Sequence, residues 1–397
     1  MTPEAQPHIA LLVKALPCHQ AGGLEFHALE LAHGLIRIGF RTTILTSALP
    51  DQPAIEMGDA PLEILYAEDG APGRYSRTYF RETNRLLAEL HQRDPLDLIH
   101  AQEFSAMYLQ RPAPDLPLIS TIHGTLYSET PLSPVIFQRG AWWRRLLWLW
   151  QFKHRIMLRG RYRRLLQESD SIIVDSEFTR NELMLENVPE QKMHVAPLGV
   201  PHSISSLPSA HACQSRTKLD RPYVLTVSRL TWIKGVDLGI EAMAKSRSRV
   251  DYVIIGDGPE KSRLERLAKR YPDFRVHFRS NVPVADLPYY YAGARLALMP
   301  ERNQPAFGLT ALEANLMGTP VLAARTGALP EVLGEHGGWF FDRGNVQQCA
   351  GTLLGLLANP KALRDQGVKA RESALRRFSV DQMARNTAEA YKKLLKK

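Results

Sequence analysis

The sequence predicts an α/β fold built from two Rossmann-like units, each a parallel sheet with helices on both faces. Three observations predict it. Short apolar runs of strand length alternate with helix-length amphipathic segments along nearly all of the chain, which is the pattern of βαβ units. The alternation lapses at 201–222, "PHSISSLPSAHACQSRTKLDRP", a polar, proline-bearing stretch that reads as a linker. At 397 residues and 44% hydrophobic, the chain is also long enough for two cores of ordinary size.

In the first half the candidate strands are "HIALLV" (8–13), "RTTILTS" (41–47), "LEIL" (62–65), "DLIHA" (97–101), "PLISTI" (117–122) and "SIIVD" (171–175). Helices are expected at about 24–39, 75–93, 141–167 and 177–187, with Ser176 as an N-cap because it stands between a strand and a helix. Beyond the linker the expected order is "YVLTVS" (223–228), helix 236–246, "YVIIG" (252–256), helix 259–271, "RVHF" (275–278), helix 284–292, "LALM" (296–299), helix 308–317 and "PVLA" (320–323). Helices at about 346–358, 361–376 and 380–395 complete the chain. The expected domains are therefore 1–200, a linker at 201–222, 223–378, and a C-terminal helix at 379–397 packing back toward the first domain. Two such domains facing one another would enclose a cleft at the C-terminal ends of their strands, where open α/β sheets bind ligands.

Charge divides along the same line. Residues 1–200 carry 20 Lys/Arg against 23 Asp/Glu, and residues 201–397 carry 30 against 18. A net +12 on the second half suits an anionic ligand such as a nucleotide, or simply a Lys/Arg-rich soluble surface. No recognised RNA or DNA module accompanies the charge, so nucleic acid is not an expected partner. The N-terminal "MTPEAQPHIALLV" lacks the features of a secretory signal. No apolar run reaches the roughly 20 residues of a spanning helix, so a cytoplasmic protein is expected. Cys18, Cys213 and Cys349 form no CxxC pair, which speaks against a disulfide framework or a zinc site.

Three post-strand loops of the second half carry candidate chemistry. Arg229 and "LTWIKG", with Lys234 and Gly235, precede a helix start, and two cations there suit a diphosphate or form a solvated basic loop. In "IIGDGPE", Gly256 and Gly258 permit a tight turn and Pro259 fits a first helical turn; the spacing is not GxGxxG, so a nicotinamide dinucleotide fingerprint is absent. In "MPERNQPAFGLTALEANLMGTPV", Gly308 opens a helix, leaving the N–H groups of Gly308, Leu309 and Thr310 as free donors toward an anion. Glu313 lies one turn further in, placed either to reach a ribose or to complement the helix dipole.

The order and spacing of "VSRLTWIKG", "IIGDGPE", "AFGLTALEA…GTPV" and "TGALPEVL" resemble glycosyltransferase family 4, retaining enzymes of GT-B fold. In the first half "QAGGLEFHALELAHGL", "STIHGT", "VDSEFTRNEL" and "APLGV" agree with it. The resemblance implies a nucleotide-diphosphate sugar as donor and a glycan or glycolipid, typically of the cell envelope, as acceptor. It implies that Arg229, Lys234 and the backbone at Leu309 and Thr310 hold the diphosphate, that Gly23 admits the β-phosphate, and that Glu313 binds the ribose. Val282 would border the base and His123 would face the donor sugar. Neither cofactor nor metal is implied, and no DxD occurs in the chain; cations and N–H donors would carry the charge of the leaving group.

The chain departs from the family pattern at one position. Pro305 stands eight residues before Glu313, where the family usually has a first glutamate; Glu301 is four residues too early and Gln304 could supply a neutral hydrogen bond. An active enzyme with an altered sugar site and an inactive nucleotide-sugar-binding or scaffold relative are both open at this point, with a GT-B epimerase behind them. Finally, "AWWRRLLWLWQFKHRIMLRGRYRR" (141–164) holds four of the six Trp. On a helix Trp143, Leu146, Leu147, Trp150 and Met157 share one face. Arg144, Arg145, Arg155 and Arg159 share the opposite one, with Trp148 and Phe152 among them. Such a face suits an anionic membrane surface, or else packs on protein.

Overall fold

The computed structural model describes residues 6–19, 23–51, 62–125, 159–200 and 207–395. It divides into two compact units: the first takes Met1–Leu126, Pro134–Pro201 and Phe378–Lys397, and the second takes His202–Arg377.

The first unit is built on a seven-stranded sheet in the order β3-β2-β1-β4-β5-β6-β7. The strands are β1 (His8–Leu12), β2 (Arg41–Thr46), β3 (Glu63–Tyr66), β4 (Leu98–Gln102), β5 (Leu118–Ile122), β6 (Ser171–Val174) and β7 (Met193–Val195), every neighbouring pair parallel. Strands β1, β4, β5 and β6 are buried at every residue, as a sheet covered on both faces requires. Ser76 and Ser176 accept from the N–H groups of Tyr79 and Thr179 and so start helices Arg77–Arg93 and Glu177–Leu185. Strand β7 was not expected, because three residues are too few for a periodic signal.

Helix Val380–Leu395 is part of this unit and lies against helix Gly23–Arg37. Contact is close because Gly34 has no side chain: a Cβ there would stand 2.9 Å from that of Ala384. Fully buried Tyr391 ends the seam, its hydroxyl 2.7 Å from His100 Nδ1.

The second unit carries a six-stranded parallel sheet in the order β10-β9-β8-β11-β12-β13. Its strands are β8 (Tyr223–Val227), β9 (Asp251–Ile255), β10 (Val276–Arg279), β11 (Leu296–Met299), β12 (Val321–Ala324) and β13 (Gly338–Phe341). Two expectations are corrected here. The stretch expected as a linker contains helix Ala210–Thr217, capped by Ser209 and burying Cys213 and Thr217 against helix Leu287–Gly293; eight residues with one small apolar side chain facing inward leave little periodicity to read. Helix Lys261–Ala268 starts after Pro259 rather than on it. Strand β13 and helix Leu329–Leu333 were also unforeseen, both being short.

Candidate functional site

Both sheets reverse their strand order once, between β1 and β4 in the first and between β8 and β11 in the second. The crevice beyond the carboxyl ends of strands at such a reversal is where doubly wound sheets bind ligands. In the second unit the loops at that point are 228–235 and 300–308, the two that hold most of the candidate residues.

The first loop is locked by backbone contacts. Leu230 N–H donates to Asp257 O at 2.7 Å and Glu260 N–H to Leu230 O at 3.0 Å, zipping it to the loop after β9. Gly256, at φ +143°, lies so close that a Cβ would fall 1.9 Å from Ser228 O, so this glycine serves the approach of two loops. A short 3-10 turn, Trp232–Lys234, follows, and Gly235 at φ +63° connects it to helix Val236–Ser246. A Cβ on Gly235 would meet Pro300 O at 1.9 Å, which brings the second loop against the first. Arg302 braces the turn: it stacks on Trp232 at 5.0 Å, donates to Trp232 O at 2.9 Å, and holds Asp237 through bonds of 2.6 and 2.9 Å.

The two expected cations differ in state. Lys234 Nζ donates to Glu301 Oε1 at 2.8 Å, with side-chain exposures of 19% and 8%. Arg229 is exposed and has no recorded side-chain partner among the described residues. Only Lys234 is therefore held in place. The same two loops carry buried polar atoms without hydrogen-bond partners: Glu301 Oε2, Asn303 Oδ1, Thr231 Oγ1 and Ser228 Oγ. Orphaned atoms of this kind are uncommon in folded proteins, and four from two adjoining loops mark a place where a polar ligand would complete the bonding.

The loop after β11 ends at helix Leu309–Leu316, with Gly308 at φ +102° as its N-cap. The first-turn N–H groups of Leu309 and Thr310 have no carbonyl within the helix to bond, as at any helix start. Thr310 Oγ1 reaches Met299 Sδ at 3.4 Å. Glu313, partly buried, accepts from the Tyr291 hydroxyl at 2.9 Å. Burial pushes its carboxyl up to about 7, although the Tyr291 hydrogen bond pulls the other way. Pro305 is buried and its carbonyl accepts from Ala328 N–H at 2.8 Å, while Gln304 is exposed. Val282 lies beyond edge strand β10, at the same end of the sheet but with β9 between β10 and β8.

In the first unit, buried His123 follows β5. Its Nδ1 lies 2.8 Å from Asp175 Oδ2 and its Nε2 2.6 Å from Gln102 Oε1. A carboxylate on one ring nitrogen fixes the orientation of an imidazole, and both nitrogens are engaged within this unit. The ring borders a cavity of about 40 Å³, shared with Lys14, Glu25, Tyr75 and Glu103. Fully buried His27 packs edge-on against it with centroids 5.0 Å apart, neither of its nitrogens partnered. Burial, then the neighbouring His123 and His100, hold His27 well below the ordinary histidine range. Gly23 opens helix Gly23–Arg37 and is exposed.

Sequence reasoning placed Arg229, Lys234, Gly308, Leu309, Thr310 and Glu313 on one strand-end face. It missed Asn303, Thr231, Ser228, Asp175 and Gln102, whose polarity is unremarkable until the strand order sets them at the carboxyl ends of strands. Arg159 is exposed, the first described residue of a helical stretch that runs to 168. Trp148, Phe152, Arg144, Arg145 and Arg155 lie outside the described residues. Cys18, Cys213 and Cys349 are buried free thiols. Among the described residues no helix is long and apolar enough to cross a membrane.

Known proteins are similar to this chain in sequence and fold. The chain is 33% identical over 227 residues to a GDP-mannose-dependent α-(1-6)-phosphatidylinositol monomannoside mannosyltransferase of Mycolicibacterium smegmatis, a match spanning 54% of this chain and 59% of that one. It is 26% identical to a D-inositol 3-phosphate glycosyltransferase of Xylanimonas cellulosilytica over 98% of both chains. Sucrose-phosphate synthase from Thermosynechococcus elongatus superposes with a TM-score of 0.76 at 22% identity, covering 98% of this chain and 100% of that one; the fold class is GT-B. A family model described as Glycosyl transferases group 1 matches residues 211–373, within the second unit. With the model described as Glycosyltransferase Family 4 matching residues 21–204 in the first, the two together span most of the chain, and it belongs to glycosyltransferase family 4.

Proposed function

We propose that this chain transfers a hexose-type sugar, with retention of configuration and without a metal, from a nucleoside diphosphate donor to a glycan or glycolipid acceptor. The observation that carries the reading is the paired Lys234 at the β8/β11 reversal, in loops that also hold unsatisfied buried polar atoms, followed by the helix start at Leu309. On this reading Arg229, Lys234 and the Leu309 and Thr310 N–H groups hold the diphosphate, Glu313 takes the ribose hydroxyls and the backbone at Val282 borders the base. Gly23 and His123 are the residues of the first unit that the reading assigns to the donor.

In the reaction the bond between the anomeric carbon and the diphosphate oxygen breaks as the acceptor hydroxyl oxygen bonds to that carbon from the same face. The hydroxyl proton passes to the leaving diphosphate, which departs as the nucleoside diphosphate. Negative charge grows on that oxygen, so preorganised cations and N–H donors lower the barrier and raise the rate, typically by about 10²- to 10³-fold per group. The donor and acceptor named for the mycolicibacterial relative, GDP-mannose and a phosphatidylinositol mannoside, make GDP-sugars and envelope lipids the first to try.

The second reading, a nucleotide-sugar-binding protein without turnover, is favoured by Pro305, whose buried ring and bonded carbonyl put no carboxylate where the family usually has one. Mass spectrometry of products from UDP-, GDP- and ADP-sugars with extracted lipid acceptors separates the two. A glycosylated product with matching nucleoside diphosphate release supports the enzyme. Binding of a nucleotide sugar with no product or hydrolysis across the panel would leave the scaffold reading.

A further inference from the structure

The first unit buries His27, His100 and His123, and their partners set their charges apart. His100 lies between two hydroxyls, Tyr391 at 2.7 Å from Nδ1 and Thr121 at 2.6 Å from Nε2. A hydroxyl donates or accepts as needed, so a neutral His100 ring is fully bonded. Burial, then the neighbouring His123, push it down to about 3. His27 has no partner on either nitrogen, and burial holds it neutral in the same way.

His123 has partners of another kind. Its Nδ1 faces a carboxylate oxygen of Asp175 at 2.8 Å and its Nε2 faces the amide oxygen of Gln102 at 2.6 Å. Both oxygens only accept. A neutral imidazole has one N–H and would turn a lone pair toward one of them, whereas an imidazolium donates to both. Charge balance points the same way. The Asp175 side chain is 1% exposed, its other oxygen is buried without a partner, and no cation besides this ring is recorded on it among the described residues. A buried carboxylate without a counter-ion is strongly disfavoured. Further out, Lys14, Glu25 and Glu103 border the small cavity at the ring, Lys14 lying over Tyr75 at 5.5 Å. Glu182 accepts from the hydroxyl of Thr125, two residues on, at 2.6 Å. Among these described groups carboxylates outnumber the one ammonium, which favours a charged ring.

We propose that Asp175 and Gln102 are positioning residues that hold His123 as an imidazolium, so that it serves transfer as a fixed N–H donor and positive charge and never as a base. The ring then takes no proton from the acceptor hydroxyl, and an oxygen of the donor replaces Gln102 on Nε2. The role in transfer rests on the glycosyltransferase reading; the charge of the ring does not.

Histidine-selective nitrogen NMR of the full chain tests the charge, the His123 signal being identified by its loss in His123→Asn. Both ring nitrogens are expected to carry protons at neutral pH, with a titration midpoint above the ordinary value of about 6.5. Asp175→Asn should lower that midpoint by at least about one pH unit, the usual effect of losing an adjacent opposite charge. Gln102→Glu puts a carboxylate on the second nitrogen and should raise it, which decides the matter if Asp175→Asn does not fold. The kcat for nucleoside diphosphate release should fall on the alkaline side with the same midpoint and follow it in both variants. A purely structural role would lower activity alike at every pH. One bare ring nitrogen at neutral pH, as when the Gln102 amide turns its N–H groups toward Nε2, overturns the charge; so does a midpoint indifferent to Asp175→Asn. A kcat that stays flat through the midpoint overturns the role. An imidazolium that responds to both variants, in a chain that gives no product with any donor, keeps the charge and removes the transferase reading.

Discussion

Replacing Lys234 separates what it does for the fold from what it does for the diphosphate. Its ammonium lies 2.8 Å from a carboxylate that is 8% exposed, and no other partner of Glu301 is recorded among the described residues. Lys234→Ala thus leaves a nearly buried charge uncompensated. Breaking a buried pair costs about 3–5 kcal/mol, and because Lys234 itself keeps 19% exposure the lower end, about 3 kcal/mol, applies. For a unit of this size that lowers Tm by about 6–12 °C. The double variant Lys234→Met with Glu301→Gln removes both charges and should recover most of that loss, since a neutral replacement of a buried pair is often close to isoenergetic. Differential scanning calorimetry reads the first effect, and nucleoside diphosphate release reads the second. Turnover should fall by about 10²- to 10³-fold in both variants, whether or not stability returns. If the double variant regains activity along with Tm, Lys234 is a structural residue and the donor assignment is wrong. If the single variant melts like the parent, the pair is not desolvated and the energetic argument fails.

Arg229 predicts the opposite balance: exposed and unpaired, it should tolerate Ala with a stability change within about 0.5 kcal/mol while turnover drops by about 10²-fold or more, as seen by calorimetry and product release side by side. Glu313 predicts a pH dependence. Its carboxyl sits near 7 in the free protein, above its ordinary value, so the neutral form is favoured by folding and any stability it lends is present below pH 4.5 and lost as pH rises through 7. A ribose diol needs the ionised carboxylate as acceptor, so nucleoside diphosphate affinity should rise between pH 6 and 8; titration calorimetry should show that part of the rise absent in Glu313→Gln.

Strands were readable because a doubly covered sheet demands continuous apolar runs, and "HIALLV", "SIIVD" and "LALM" meet that demand in full. The three-residue β7 and the five-residue helix Leu329–Leu333 are too short for either period to show. Helix Ala210–Thr217 was hidden for another reason. Its start is set by the Ser209 cap and its seat by Cys213 against Gly293, where a Cβ would stand 3.3 Å from the Cys213 Cβ, and such tertiary fit leaves no mark in composition.

The site was partly legible for the same physical reason that it was partly misread. Helix starts and cations are local, so Gly308, Arg229 and Lys234 could be placed from their neighbours in sequence. Glu301 could not, because counting eight residues back from Glu313 measures distance along the chain, whereas a loop can fold back on itself. Here Pro300 O lies directly under Gly235, Arg302 N–H donates to Ile233 O at 2.8 Å, and these two contacts carry the intervening Glu301 side chain onto Lys234. Glu301 is thereby left with one oxygen on the ammonium and the other without a partner. Position 305 is occupied instead by a residue that shapes the turn. Whether a carboxylate at 301 serves donor binding is therefore decided by the free Oε2: if Glu301→Gln keeps the fold and nucleoside diphosphate affinity but raises KM for the nucleotide sugar, that oxygen holds the sugar, and if all three are unchanged it holds nothing.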